Sequence, residues 1–136
     1  MEIDRAREFL RHNHRAICHT RRKDGSPQLS PVACALADDG RVVVSTREGA
    51  AKARNARRDP RVSLCVFGDA FFGEWVQIDG EAEVVSLPEA MEGLIEYYRA
   101  VGGEHPDWDD YRRAMNEERR VLLAITIERA GPDWGG

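Results

Sequence analysis

Between Arg47 and Arg61 the chain carries six basic and two acidic residues, a local balance of +4 inside a protein whose net charge is −4. This island follows the β-branched run Val42-Val43-Val44 and the polar pair Ser45-Thr46, and it precedes the apolar run Val62–Phe67. The spacing predicts a strand, a helix over Glu48–Arg58 and a second strand. The first N–H groups of a helix have no internal partners, so a strand-to-helix junction favours a small anion such as phosphate. Ser45 and Thr46 add hydroxyl donors at that edge. Lys52 and Asn55, three residues apart, fall on one helix face, and Ala50, Ala51 and Ala53 keep the nearby turns small. The same residues also permit a purely structural arrangement, in which Ser45 and Glu48 form a capping box and Arg54, Arg57 and Arg58 are solvated surface charge.

Other chemistry is poorly supplied. His12, His14, His19 and His105 do not have metal-site spacing, and no cysteine pair is close enough for a zinc knuckle. Neither a nucleophile-elbow serine nor a glycine-rich nucleotide loop occurs. No side chain stands out as a catalytic acid or base. A basic cradle without acid–base apparatus suits a protein whose bound cofactor supplies the reactive atom.

The elements that must position the cradle can be read from periodicity. Residues 3–11 form an amphipathic helix with Ile3, Ala6, Phe9 and Leu10 on one face. Strands are expected at Arg15–Thr20 and Gln28–Leu36, joined through Asp24-Gly25. Pro31 marks an edge, a bulge or a ligand-facing position in the second of these. After Phe67 a loop leads to a long strand, Glu74–Val85. Ser86–Glu89 reads as a capping box opening a helix to about Ala100, and Pro106-Asp107 opens another. Arg120–Ile127 is apolar enough to be a central strand. These six strands, mostly hairpin-connected and flanked by helices, predict an α+β sheet or small barrel.

With 136 residues, 42% hydrophobic and 32% charged, one domain over residues 1–136 is expected. No membrane-length apolar run or signal-peptide core is present, so the expected location is cytoplasmic, with no membrane partner. Net acidity argues against nucleic acid. Cys18, Cys34 and Cys65 sit in apolar contexts as free thiols.

Several blocks resemble the flavin and deazaflavin oxidoreductases of the split β-barrel superfamily typified by pyridoxamine phosphate oxidase: D-G-S-P-Q-L-S-P-V, V-V-V-S-T, K-x-x-N-x-R-R-D-P-R-V and W-V-x-I-x-G-x-A. The later run Y-R-x-x-x-G-E-H-x-D-W-D-D-Y-R-x-A-M is similar to the actinobacterial branch that binds coenzyme F420. Together they span about Ile3 to Ile127. The resemblance implies a homodimeric, six-stranded antiparallel split barrel with the cofactor between subunits and a small-molecule substrate beside it. It implies Lys52 and Asn55 at the cofactor phosphate, Ser45 and Thr46 at the adjoining strand end, and Ser30, Pro31 and Val32 along the ring. Where relatives carry a basic residue, this chain has Ala50, so the charge would come from Arg47 or Arg54. The chain ends without the Arg-x-His segment expected of pyridoxamine phosphate oxidases proper. F420, with its polyglutamate tail, is favoured over FMN, and hydride transfer to an unsaturated small molecule is the expected activity. An FMN-dependent oxidoreductase and a non-catalytic cofactor-binding protein are the alternatives.

Overall fold

The structure is a computed structural model and describes residues 1–132. Seven strands and four helices alternate along it: α1 (Ile3–His12), β1 (Arg15–Arg21), β2 (Pro27–Ala33), β3 (Ala35–Leu36), β4 (Val42–Arg47), α2 (Ala51–Arg58), β5 (Arg61–Phe67), β6 (Trp75–Val85), α3 (Met91–Gly102), α4 (Trp108–Glu117) and β7 (Arg120–Gly131). The strands form one antiparallel sheet in the order β2-β1-β5-β6-β7-β4-β3. It curls into the half-barrel of a split β-barrel, an α+β fold as expected from sequence.

Alternation in the strands explains the curl. Ala16 and Cys18 of β1, Leu64 and Val66 of β5, Ile78 of β6, Ile125 of β7 and Val44 of β4 all point into one buried core. Ala6 and Leu10 of α1 and Ala56 of α2 close that core. Val43, Leu122 and Ala124 point the other way, under Leu94 and Ile95 of α3 and Tyr111 and Met115 of α4. β4 and β7 are thus buried on both faces, which accounts for their unbroken apolar runs. The helices deliver their buried residues to these two cores. The outward face of β2, β1, β5 and most of β6 therefore carries no helix among the described residues, and only Val85 at the end of β6 packs onto the second core.

Three sequence expectations need correction. The strand expected at Gln28–Leu36 breaks at Cys34, giving seven strands rather than six. There the Cys34 N–H donates to the His14 carbonyl (2.8 Å), while His14 Nδ1 lies 2.9 Å from the Cys34 carbonyl oxygen. Held this way, the backbone turns out of one sheet end and enters the other. The basic helix begins at Ala51, not Glu48, because Glu48 N–H donates to the Arg119 carbonyl and Ala50 N–H to that of Arg47. The Ser86–Glu89 box does not cap a helix either. Residues 87–90 form a turn before α3, and the Ser86 hydroxyl accepts from Arg57 (2.9 Å). Asp107 does cap α4, accepting from the Asp110 N–H.

Candidate functional site

β2 and β4 approach one another without pairing, leaving the seam of the split barrel, and α2 lies at its end. Three polar side chains on the elements that border it stand out. Lys52, half-buried on the first turn of α2, makes no hydrogen bond or ion pair among the described residues. Its ammonium is near the Cys18 thiol of β1, whose pKa is pushed up to about 11 by burial, with Lys52 drawing it partly back. Directly across the ladder from Cys18 sits Ser30 of β2, whose Oγ is buried without any partner. Thr46, 4% exposed, continues the inward row of Val42 and Val44 at the end of β4. An unpaired ammonium and an orphaned buried hydroxyl form a donor set that lacks its acceptor. Burying a hydroxyl unpaired is costly, and a phosphate oxygen is an acceptor that would satisfy it.

The other expected residues fall elsewhere. Ser45 continues the Val43 row and meets Tyr97 of α3. The Tyr97 hydroxyl donates to the Ala33 carbonyl (3.0 Å), and its pKa is raised by burial against the opposing pull of the Ser45 N–H. Tyr97 therefore ties the end of β2 to β4 across the seam, a role with no periodic signal in sequence. Arg47 is exposed and reaches Glu118 (3.4 Å); Arg54 donates to the Gly49 carbonyl (2.7 Å). Neither is directed at Lys52 by these contacts.

Asn55 faces β1 as Lys52 does, but it lies deeper and its amide is engaged by other partners. It is buried, its Nδ2 donating to Thr20 Oγ1 (3.1 Å) and its Oδ1 accepting from Arg58 Nη2 (2.9 Å). Both amide groups are spent inside the protein, so Asn55 anchors α2 to β1. Arg58, expected as solvated charge, also donates to the Arg21 carbonyl (2.8 Å). Arg57 pairs with Glu48 (2.7 Å). The partner that makes Asn55 structural is Thr20, 35 residues away, and nothing local to α2 announces it.

Ser30, Pro31 and Val32 cannot present three side chains to one ring face, because strand residues alternate. Ser30 and Val32 turn toward the barrel side, while Pro31 stands outward beside Ile17. Pro31 and Val32 also line a groove of about 520 Å³ with Arg15, Ile17, Phe67 and Phe71. Phe71 stacks on Phe67 with ring centroids 5.7 Å apart. As an edge strand, β2 offers backbone groups along its free side as well.

Comparison with known proteins agrees with this architecture. A sequence model of the family described as Pyridoxamine 5'-phosphate oxidase matches residues 3–132. The conserved hypothetical protein Rv2991 from Mycobacterium tuberculosis is similar in structure (TM-score 0.78, 28% identity), covering 96% of this chain and 82% of its own. A protein described as an F420 reductase shares the fold at 19% identity and TM-score 0.68, over 91% of this chain and 94% of its own. So does a heme binding protein from Mycobacterium smegmatis (TM-score 0.73, 19% identity), over 94% of this chain and 52% of its own.

Proposed function

The chain belongs to the pyridoxamine 5'-phosphate oxidase family, and from that premise we propose that it is an F420-dependent oxidoreductase acting on an unsaturated small molecule. The observation that carries this reading is the orphaned, buried Ser30 hydroxyl, across the ladder from Cys18, whose thiol feels the charge of the unpaired Lys52. Lys52 and Ser30 would hold the cofactor phosphate, with Thr46 at the strand end. Bound there, the deazaflavin supplies hydride-transfer chemistry. The chain's own contribution is positional. Val32, on the barrel side with Ser30, places apolar surface beside the ring, the free edge of β2 offers backbone hydrogen bonds, and Tyr97 fixes the spacing of β2 and β4 across the seam. A proton for the product would come from solvent, since among the described residues the one acid lining the groove is Asp69, which is exposed and within 3.6 Å of Arg15.

A homodimer with the cofactor between subunits belongs to the same proposal. The helix-free outer face supports it, with Leu29 61% exposed and Phe72 97% exposed at the loop beyond β5. Apolar groups that prominent favour coverage by a partner. Light scattering that returned only monomer at micromolar concentration would contradict it.

Side-by-side titration with F420 and FMN tests the cofactor. Tight, saturable quenching of F420 fluorescence with much weaker FMN binding is expected. Protein that purifies yellow with bound flavin and ignores F420 would favour the FMN-dependent alternative. No helix among the described residues is long and apolar enough to cross a membrane, in keeping with the proposed cytoplasmic location.

A further inference from the structure

Eight of the chain's 20 lysines and arginines make no ion pair with a carboxylate among the described residues. Acidic groups are in excess, 24 against 20, so a random surface would leave few cations unpaired and scatter them. Instead six of the eight, Arg21, Arg22, Lys23, Lys52, Arg54 and Arg58, lie on α2 or on the end of β1 and the hairpin after it. Four of these, Arg21, Arg22, Lys23 and Arg58, line one open cleft of about 560 Å³ with Arg61.

The carboxylates of this cleft do not cancel it. Asp59 is engaged by Arg61 through two contacts, 3.0 and 2.8 Å. Asp24 of the hairpin is turned onto the Ser26 N–H and hydroxyl, at 2.9 and 2.6 Å. Glu81 alone faces the cleft without an ion pair. The Arg58 guanidinium is already fixed, bonded to the Arg21 carbonyl and to Asn55. A ligand would therefore find at least one cation in place rather than having to order it. A neighbouring cleft shares Arg21 and Arg61 but is lined also by Asp79 and Glu128, with Arg129 paired to Asp79 (2.8 Å), so the excess of positive charge is confined to the hairpin cleft.

We propose that this hairpin cleft is a second anion site, separate from the Lys52 seam, that takes a linear oligoanion with three or more negative charges. Six residues of α-helix, roughly 9 Å, separate Lys52 from Arg58, so one monovalent anion cannot occupy both. The inference rests on the charge distribution and stands apart from the cofactor reading. The anionic chain has two possible sources, the acidic tail of a bound cofactor or a free oligoanion.

The test uses inorganic tripolyphosphate, titrated calorimetrically at low salt into the full chain. Arg22→Ala/Lys23→Ala removes two exposed cations whose side chains make no ion pair or hydrogen bond among the described residues, and should weaken binding about tenfold. Arg5→Ala, an unpaired cation on α1, should change it by less than about twofold, and in Lys52→Ala the binding event that the hairpin variant weakens should persist. Absence of millimolar or tighter binding to wild type overturns the proposal. So does a double variant that matches Arg5→Ala, or a Lys52→Ala loss as large as that of the hairpin variant. A second arm compares F420 with long and short glutamate tails. A long-tail preference that disappears in the hairpin variant supports the site and identifies the cofactor tail as occupant. Loss of tripolyphosphate binding with that preference unchanged, or with no F420 binding at all, supports the site and identifies a free oligoanion. Failure of the cofactor reading is thus visible separately.

Discussion

Asn55→Ala separates the structural from the ligand-binding role of the most deeply placed polar residue on α2. Asn55 is 7% exposed and Thr20 wholly buried. The substitution deletes the bond from Nδ2 to Thr20 Oγ1 and the one from Arg58 to Oδ1. A neutral buried hydrogen bond contributes roughly 1 kcal/mol, and leaving the Thr20 oxygen without its donor adds about as much again. The Arg58 contact is charge-assisted but lies at the surface, so solvent reduces it to about 0.5 kcal/mol. The expected total is about 2–3 kcal/mol, which at about 3–4 °C per kcal/mol for a chain of this size lowers the melting temperature by about 6–12 °C. Thermal melts followed by circular dichroism measure this directly. F420 titration of the same variant, at a temperature where it remains folded, should give an affinity within about threefold of wild type. A melting temperature within about 2 °C of wild type, combined with a tenfold loss of cofactor affinity, would instead assign Asn55 to the ligand.

Lys52→Ala should show the opposite pattern, with cofactor affinity reduced about 10- to 100-fold, a nearly unchanged melt, and a difference from wild type that shrinks as salt rises. Gly80→Ala should yield little soluble protein, since at the β6 irregularity beside Asp79 a Cβ would run into the Thr126 carbonyl oxygen; normal expression and melting would contradict that register. Thiol titration at pH 8 should find Cys18 and Cys34 unreactive in the native state and all three cysteines reactive in denaturant, because burial pushes Cys18 up to about 11 and Cys34 up to about 12. Both thiols bind their protons more tightly folded than unfolded. Their stabilising contribution is therefore present below about pH 8.5, the ordinary thiol value, and is lost as pH rises through 11; denaturant midpoints independent of pH between 8 and 11 would show that the thiols are not buried.

Strand periodicity made most of the fold legible. The alternation in β1, β5 and β6 and the double-sided burial of β4 and β7 follow from residue type, and Arg120–Ile127 reads as central because it is apolar throughout. The break at Cys34 was hidden, since Ala33-Cys34-Ala35 carries no turn residue and the kink is enforced by His14 from another segment. At the site, Lys52 and Ser30 were legible as residue types. The fate of their neighbours was not, because it depends on long-range partners: Thr20 for Asn55, Ala33 for Tyr97, Glu118 for Arg47. Alternation also divides Ser30 and Val32 from Pro31, a distinction that reading a motif as one contiguous block obscures.

The position of β7 between β6 and β4 has a consequence for how the chain reaches this state. Val43 faces Ala124 across about eighty residues of sequence, and β4 has no other long partner. Until β7 is available, the chain holds two unconnected sheet fragments, β2-β1-β5-β6 and β4-β3, with β6 and β4 exposing open edges. Such long-range closure is slow relative to hairpin formation, and open edges invite pairing with other chains. During synthesis the half-barrel can close only once β7 has emerged, so the seam that presents Lys52 and Ser30 is among the last features to form. Aggregation of newly made chains would be governed by the wait for one strand, whatever the stability of the finished fold.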